Sequence, residues 1–118
     1  MTHSDLISGL YSIAIEMRDG KKGRATGVIV LFDGRILGGD SYFYYTGSYT
    51  CADGKWRGEL ITNQHTEAVG KNLAFGGRQV SCGFTGTYSD GQASVHGTAL
   101  VGKTSVVFQA ELTLVERL

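Results

Sequence analysis

Asp-Gly occurs four times, at Asp19-Gly20, Asp33-Gly34, Asp53-Gly54 and Asp90-Gly91, and short runs of alternating apolar and polar residues flank each pair. Asp-Gly supplies the two positive-φ residues of a type I′ turn, so each pair predicts a reversal between adjacent antiparallel strands. Gly-x-Tyr rides on the same rhythm, at Gly9-Leu10-Tyr11, Gly47-Ser48-Tyr49 and Gly86-Thr87-Tyr88, each a few residues ahead of a turn. A chain punctuated in this way reads as a β-meander.

The alternation divides the chain into about eight strands. Leu10 to Met17 places Tyr11, Ile13, Ile15 and Met17 on one face. The run from Gly27 to Phe32 is apolar on both faces and therefore predicts contact with another layer or another subunit. A short strand at Arg35 to Asp40 ends in a bend. Four longer ones follow at Tyr42 to Cys51, Lys55 to Thr62, Arg78 to Tyr88 and Gln92 to Val101, and the last runs from Ser105 to Val115. Connections this short favour sequential hairpins over the crossovers of a sandwich, and closure removes the exposed edges. The predicted fold is all-β, an eight-stranded up-and-down barrel of the lipocalin type. It forms one domain over residues 1–118, with residues 1–8 a flexible lead-in. Thr66-Glu67-Ala68-Val69 carries a capping signal for a short helix around 66–72.

Composition narrows the function. A chain of 118 residues, 42% hydrophobic, has room for one modest core and no separate catalytic domain. Eighteen glycines without a proline suit tightly bent strands. Eleven basic residues balance eleven acidic ones, so no net field draws the protein to nucleic acid or an anionic membrane. The start Met1-Thr2-His3-Ser4-Asp5 lacks a basic, then apolar, leader, and a cytoplasmic location with Cys51 and Cys82 as reduced thiols is expected.

The sharpest motif match is Gly97 to Thr104, which satisfies G-x-x-x-x-G-K-[ST] letter for letter. A phosphate loop needs a helix after it, whereas the residues beyond Lys103 alternate with period two, so a hairpin is predicted instead. His3, His65 and His96 lack the spacing of metal ligands, and no G-x-S-x-G elbow is present. No enzyme, cofactor or metal site is therefore expected. The aromatic residues Tyr11, Tyr45, Tyr49, Trp56, Phe84 and Phe108 fall on inward faces, where they either fill the barrel or line a pocket for one small apolar ligand. Inward glycines at 47, 58, 86 and 97 fit both alternatives.

The run Gly9-Leu10-Tyr11-Ser12-Ile13, with Gly27-Val28-Ile29-Val30, Asp33-Gly34, Gly38-Gly39-Asp40 and Tyr45-Thr46-Gly47-Ser48-Tyr49, resembles the GrlR-like family. Its name-giving member is a negative regulator of bacterial type III secretion gene expression. The likeness covers the first half of the chain in motifs and the second half in strand rhythm. It implies a lipocalin-like barrel that dimerises and regulates by binding protein. Where the name-giving regulator carries an acidic run that recognises its activator, this chain has Cys51-Ala52-Asp53-Gly54-Lys55-Trp56-Arg57, so that partner is not implied. The interaction surface is expected on Val28, Val30 and Phe32 of the two-sided strand and on Asp53, Lys55 and Arg57 of the hairpin.

Overall fold

The structure, a computed structural model, describes residues 6–17, 24–67, 79–101 and 103–118. Its strands are β1 (Gly9–Met17), β2 (Arg24–Phe32), β3 (Arg35–Gly39), β4 (Phe43–Ala52), β5 (Lys55–Gln64), β6 (Val80–Ser89), β7 (Gln92–Val101) and β8 (Thr104–Arg117). Each pairs antiparallel with the next, and β8 returns to β1, closing an eight-stranded up-and-down barrel. There is no helix among the described residues, and so none long and apolar enough to cross a membrane. The turn expected at Asp19-Gly20 lies outside the described residues, as does most of the helix expected around 66–72. Thr66 and Glu67, which are described, are not helical.

The other three Asp-Gly pairs make the turns their chemistry demands. Asp33, Asp53 and Asp90 have φ of 52°, 54° and 45°, and the glycines that follow have φ of 80°, 80° and 84°. Both central residues of each turn are thus left-handed, matching the twist of the strands they join.

All three turns share one end of the barrel, and two of them meet the Gly-x-Tyr motifs there. The Tyr49 N–H donates to the Gly34 carbonyl at 2.9 Å and the Tyr88 N–H to the Gly54 carbonyl at 3.0 Å. The Leu114 N–H does the same to Gly91 at 2.7 Å. Each turn is therefore capped by a later strand, which satisfies its free carbonyl and sets the stagger of the barrel. The glycine of the motif serves a different need, close approach. A Cβ on Gly47 would lie 2.1 Å from the Glu59 carbonyl oxygen, and one on Gly86 would lie 1.8 Å from that of Ser94.

Inward residues alternate as the pattern requires. Tyr11, Ile13, Ile15, Ile29, Leu31, Ile36, Val80, Ala99, Ala110 and Leu112 are buried in one continuous core. The two-sided strand resolves into its halves: Ile29 and Leu31 enter that core, while Val28 and Phe32 face out. The G-x-x-x-x-G-K-[ST] match lies along β7 and ends at Thr104, which pairs with Val101 to begin β8, so it is a hairpin. Of the lead-in expected over residues 1–8, residues 6–8 are described. Leu6 is buried, the Ile7 carbonyl accepts the Tyr11 hydroxyl, and the Ser8 carbonyl accepts the Leu118 N–H.

Gly83 points outward, and a Cβ there would meet nothing within 4 Å. Urea denaturation of Gly86→Ala should therefore show a loss of about 2–3 kcal/mol from backbone overlap. Gly83→Ala should be neutral or stabilising by about 0.5 kcal/mol, because it only restricts the unfolded chain. Equal losses in the two variants would contradict this reading of the strand contacts.

Candidate functional site

The six aromatic residues expected inside are all buried, but they do not share one pocket. Tyr49, Trp56 and Phe84 form an edge-to-face file, with ring centroids 5.8 Å and 4.9 Å apart. The inward glycines serve packing here, since the Phe84 ring lies against Gly58, 2.9 Å from where a Cβ would stand. Phe108 joins Trp56 and Phe84 around an internal cavity of about 40 Å³. Pockets for organic ligands begin near ~300 Å³. Among the described residues, this cavity is smaller than such a pocket.

Tyr11 and Tyr45 are drawn to opposite ends of the barrel by their hydroxyls. Tyr11 donates to the Ile7 carbonyl at 2.6 Å, and Tyr45 donates to Asp40 Oδ2 at 2.6 Å. Burial raises the Tyr45 hydroxyl well above its ordinary range, and Asp40 adds to this as hydrogen-bond acceptor and as negative charge. The other carboxylate oxygen of Asp40 accepts the N–H groups of Tyr42 and Phe43 at 2.9 Å and 2.8 Å, forming the bend between β3 and β4. His65 fastens this bend from the end of β5. Its Nε2 lies 3.0 Å from the Asp40 carbonyl and its Nδ1 lies 2.6 Å from Thr66 Oγ1. A carbonyl only accepts, so Nε2 carries a proton toward Asp40, while the threonine hydroxyl can either donate to Nδ1 or accept from it. Gly38-Gly39-Asp40 and Tyr45 therefore belong to one structural latch. Sequence places Asp40 only within the Gly38-Gly39-Asp40 motif and His65 only among histidines without metal-ligand spacing; that the two meet is set by the fold, which brings His65 to the Asp40 carbonyl.

The outer surface carries the feature that packing leaves unexplained. Register places Leu10 beside Val30, Val30 beside Leu37, Leu37 beside Thr46, and Thr46 beside Ile61. This row follows the curve of the barrel over five strands, roughly 19 Å of arc at the usual strand spacing, so Leu10 and Ile61 point to opposite sides and its middle, on β2 to β4, forms one face. Val28 (46% exposed), Phe32 (54%), Leu37 (44%) and Tyr44 (43%) make the centre of that face apolar and open. Elsewhere among the described residues the exposed large apolar side chains form smaller groups: Leu100 and Val107 are diagonal neighbours on β7 and β8, and Val115 and Leu118 lie at the end of the chain. Small groups are ordinary, whereas a larger contiguous patch marks a contact surface. Leu10, Leu37, Tyr44 and Ile61 were missed from sequence, although each is apolar at an outward position of the alternation.

The second half of the expected surface lies elsewhere. Lys55 and Arg57 are on the outer face of β5 beyond the Asp53 turn, bordering an open hollow of about 510 Å³ with Thr85, Thr87 and His96. β2 and β5 are three strands apart in a barrel of eight, so the two groups point in different directions. Among the described residues no three of His, Cys, Asp and Glu converge as metal ligands.

Cys82 lines the cavity, and burial pushes its thiol from 9.0 up to about 11. The folded state then holds this proton more tightly than the unfolded state. Its stabilising effect is fully present below pH 9 and is lost as pH rises towards 11. Stability should fall by roughly 3 kcal/mol across that window from this group alone. Cys82→Ala, although less stable at neutral pH, should flatten the slope in denaturation curves between pH 9 and 11; an unchanged slope would contradict the assignment.

No protein-family model matches this chain and no curated protein sequence is similar to it, so the functional reading rests on the geometry of the barrel.

Proposed function

We propose that this chain is a non-catalytic protein-binding β-barrel that self-associates through the outer face of β2 and β3, with a regulatory role of the kind the GrlR-like resemblance implies. The observation that carries the reading is the apolar face of Val28, Val30, Phe32, Leu37 and Tyr44 on the outside of β2, β3 and β4. Apolar surface left in water costs about 25 cal/mol per Å², and a second protein surface removes that cost.

Self-association suits the pattern of residues across the gap between β2 and β3. A two-fold axis along that gap sets Val30 against the partner's Leu37, and Val28 beside the partner's Gly39. It also lays the Phe32 ring over the partner's Arg35, a cation against an aromatic face. No like charges meet in this arrangement. Asp53, Lys55 and Arg57 remain on a separate surface, free to take a different protein partner.

Sedimentation velocity provides the test. The wild-type protein should be a dimer at micromolar concentration. Val30→Asp buries an unpaired charge at the centre of the contact and should weaken the dimer roughly a hundredfold, about 2.7 kcal/mol, with an unchanged fold by circular dichroism. A wild-type monomer at the same concentrations would overturn the reading.

A further inference from the structure

We propose that the outer face of β5 and β6 is a docking groove for an extended acidic segment of a protein partner, an inference that rests on the protein-binding role above and names what the second surface takes. β6 turns only small residues outward: Ser81, Gly83, Thr85, Thr87 and Ser89. A Cβ at Gly83 would meet nothing within 4 Å. The longer side chains of Lys55, Arg57 and Glu59 on β5 border this low strip, and His96 borders it from β7. Two open hollows result, of about 510 Å³ and 460 Å³, and both are lined by Thr50, Arg57 and Thr85. They meet at Arg57 and form one groove.

The charges along the groove select its occupant. Among the described residues Lys55, Arg57 and His96 have no hydrogen-bond or ion-pair partner, and their neighbours on β6 carry hydroxyls: Thr87 beside Lys55, and Thr85 between Arg57 and His96. Cations without a carboxylate of their own chain are open to a partner's. Lys55 and Arg57 stand two positions apart on one face of a strand, a separation of about 6.8 Å. Acidic side chains at alternate positions of an extended chain have the same spacing, so two of them can meet both cations at once. Glu59 follows on the same face and Asp53 precedes in the turn, so carboxylates bound the cationic stretch at both ends. A uniformly acidic chain is repelled there, and so is a nucleic acid, with a charge at every step. The segment that fits reads acid-x-acid-x-base, its basic residue facing Glu59.

Backbone amide NMR provides the test, with a synthetic peptide carrying Asp-Thr-Glu-Thr-Lys between neutral ends. Its addition should shift the amides of Thr85, Thr87 and His96. Arg57→Glu should weaken binding by at least about tenfold. Gly83→Phe should weaken it as much with no change of charge, by filling the groove at a position open to a side chain. Both residues point outward, and each variant should keep the wild-type circular dichroism. The reordered peptide Asp-Glu-Thr-Thr-Lys, whose acids point to opposite sides when extended, should bind more weakly. The proposal fails if the wild-type protein shows no shift at millimolar peptide, or if neither Gly83→Phe nor the reordering weakens binding. It fails equally if a single-stranded oligonucleotide binds the groove more tightly than the peptide. Val30→Asp separates the groove from self-association, since it should leave peptide binding unchanged. A wild-type monomer that binds the peptide would overturn the dimer and support the groove.

Discussion

Closure of this barrel depends on backbone reaching backbone at inward glycines. At Gly47, Gly58, Gly86 and Gly97 a carbonyl oxygen of the neighbouring strand lies 1.8–2.2 Å from where a Cβ would stand, so no other residue keeps the strand in place. Bends of this kind let a flat ladder curl into a small cylinder. The Asp-Gly turns supply the reversals, and the tyrosine or leucine N–H groups that cap them fix how far each strand slides past the last. Curvature and stagger together bring β8 back to β1, where Ile13 pairs with Leu112 and Ile15 with Ala110.

Tight closure decides where function can sit. With rings packed over the glycines, Trp56, Phe84 and Phe108 enclose a cavity of only about 40 Å³ among the described residues. On the outside the protein presents two unlike surfaces, an apolar one around β2 and β3 and a polar one at Lys55 and Arg57 on β5. A barrel with two such faces is suited to bind itself with one and something else with the other.

The fold was legible because its signals are local. Period-two alternation, Asp-Gly at the reversals and glycine at the bends each act over a few residues, and they agree with one another. The outward half of Gly27 to Phe32 was also visible as an apolar excess. What could not be read were relations between strands. Val30 meets Leu37 and Thr46 meets Ile61 only through register, and the angle between β2 and β5 follows from the strand count and closure. The latch of Asp40, Tyr45 and His65 was hidden for the same reason, since His65 reaches a backbone carbonyl 25 residues away.

The claim that the outer face of β2 and β3 is the working surface of this protein is tested most directly by methyl NMR with a soluble paramagnetic probe, comparing dilute and concentrated samples. On concentration, the methyl groups of Val28, Val30 and Leu37 should lose their exposure to the probe while those of Leu100 and Val107 keep theirs. If all five remain equally exposed at every concentration, or if the protection appears at Leu100 and Val107 instead, the account is wrong.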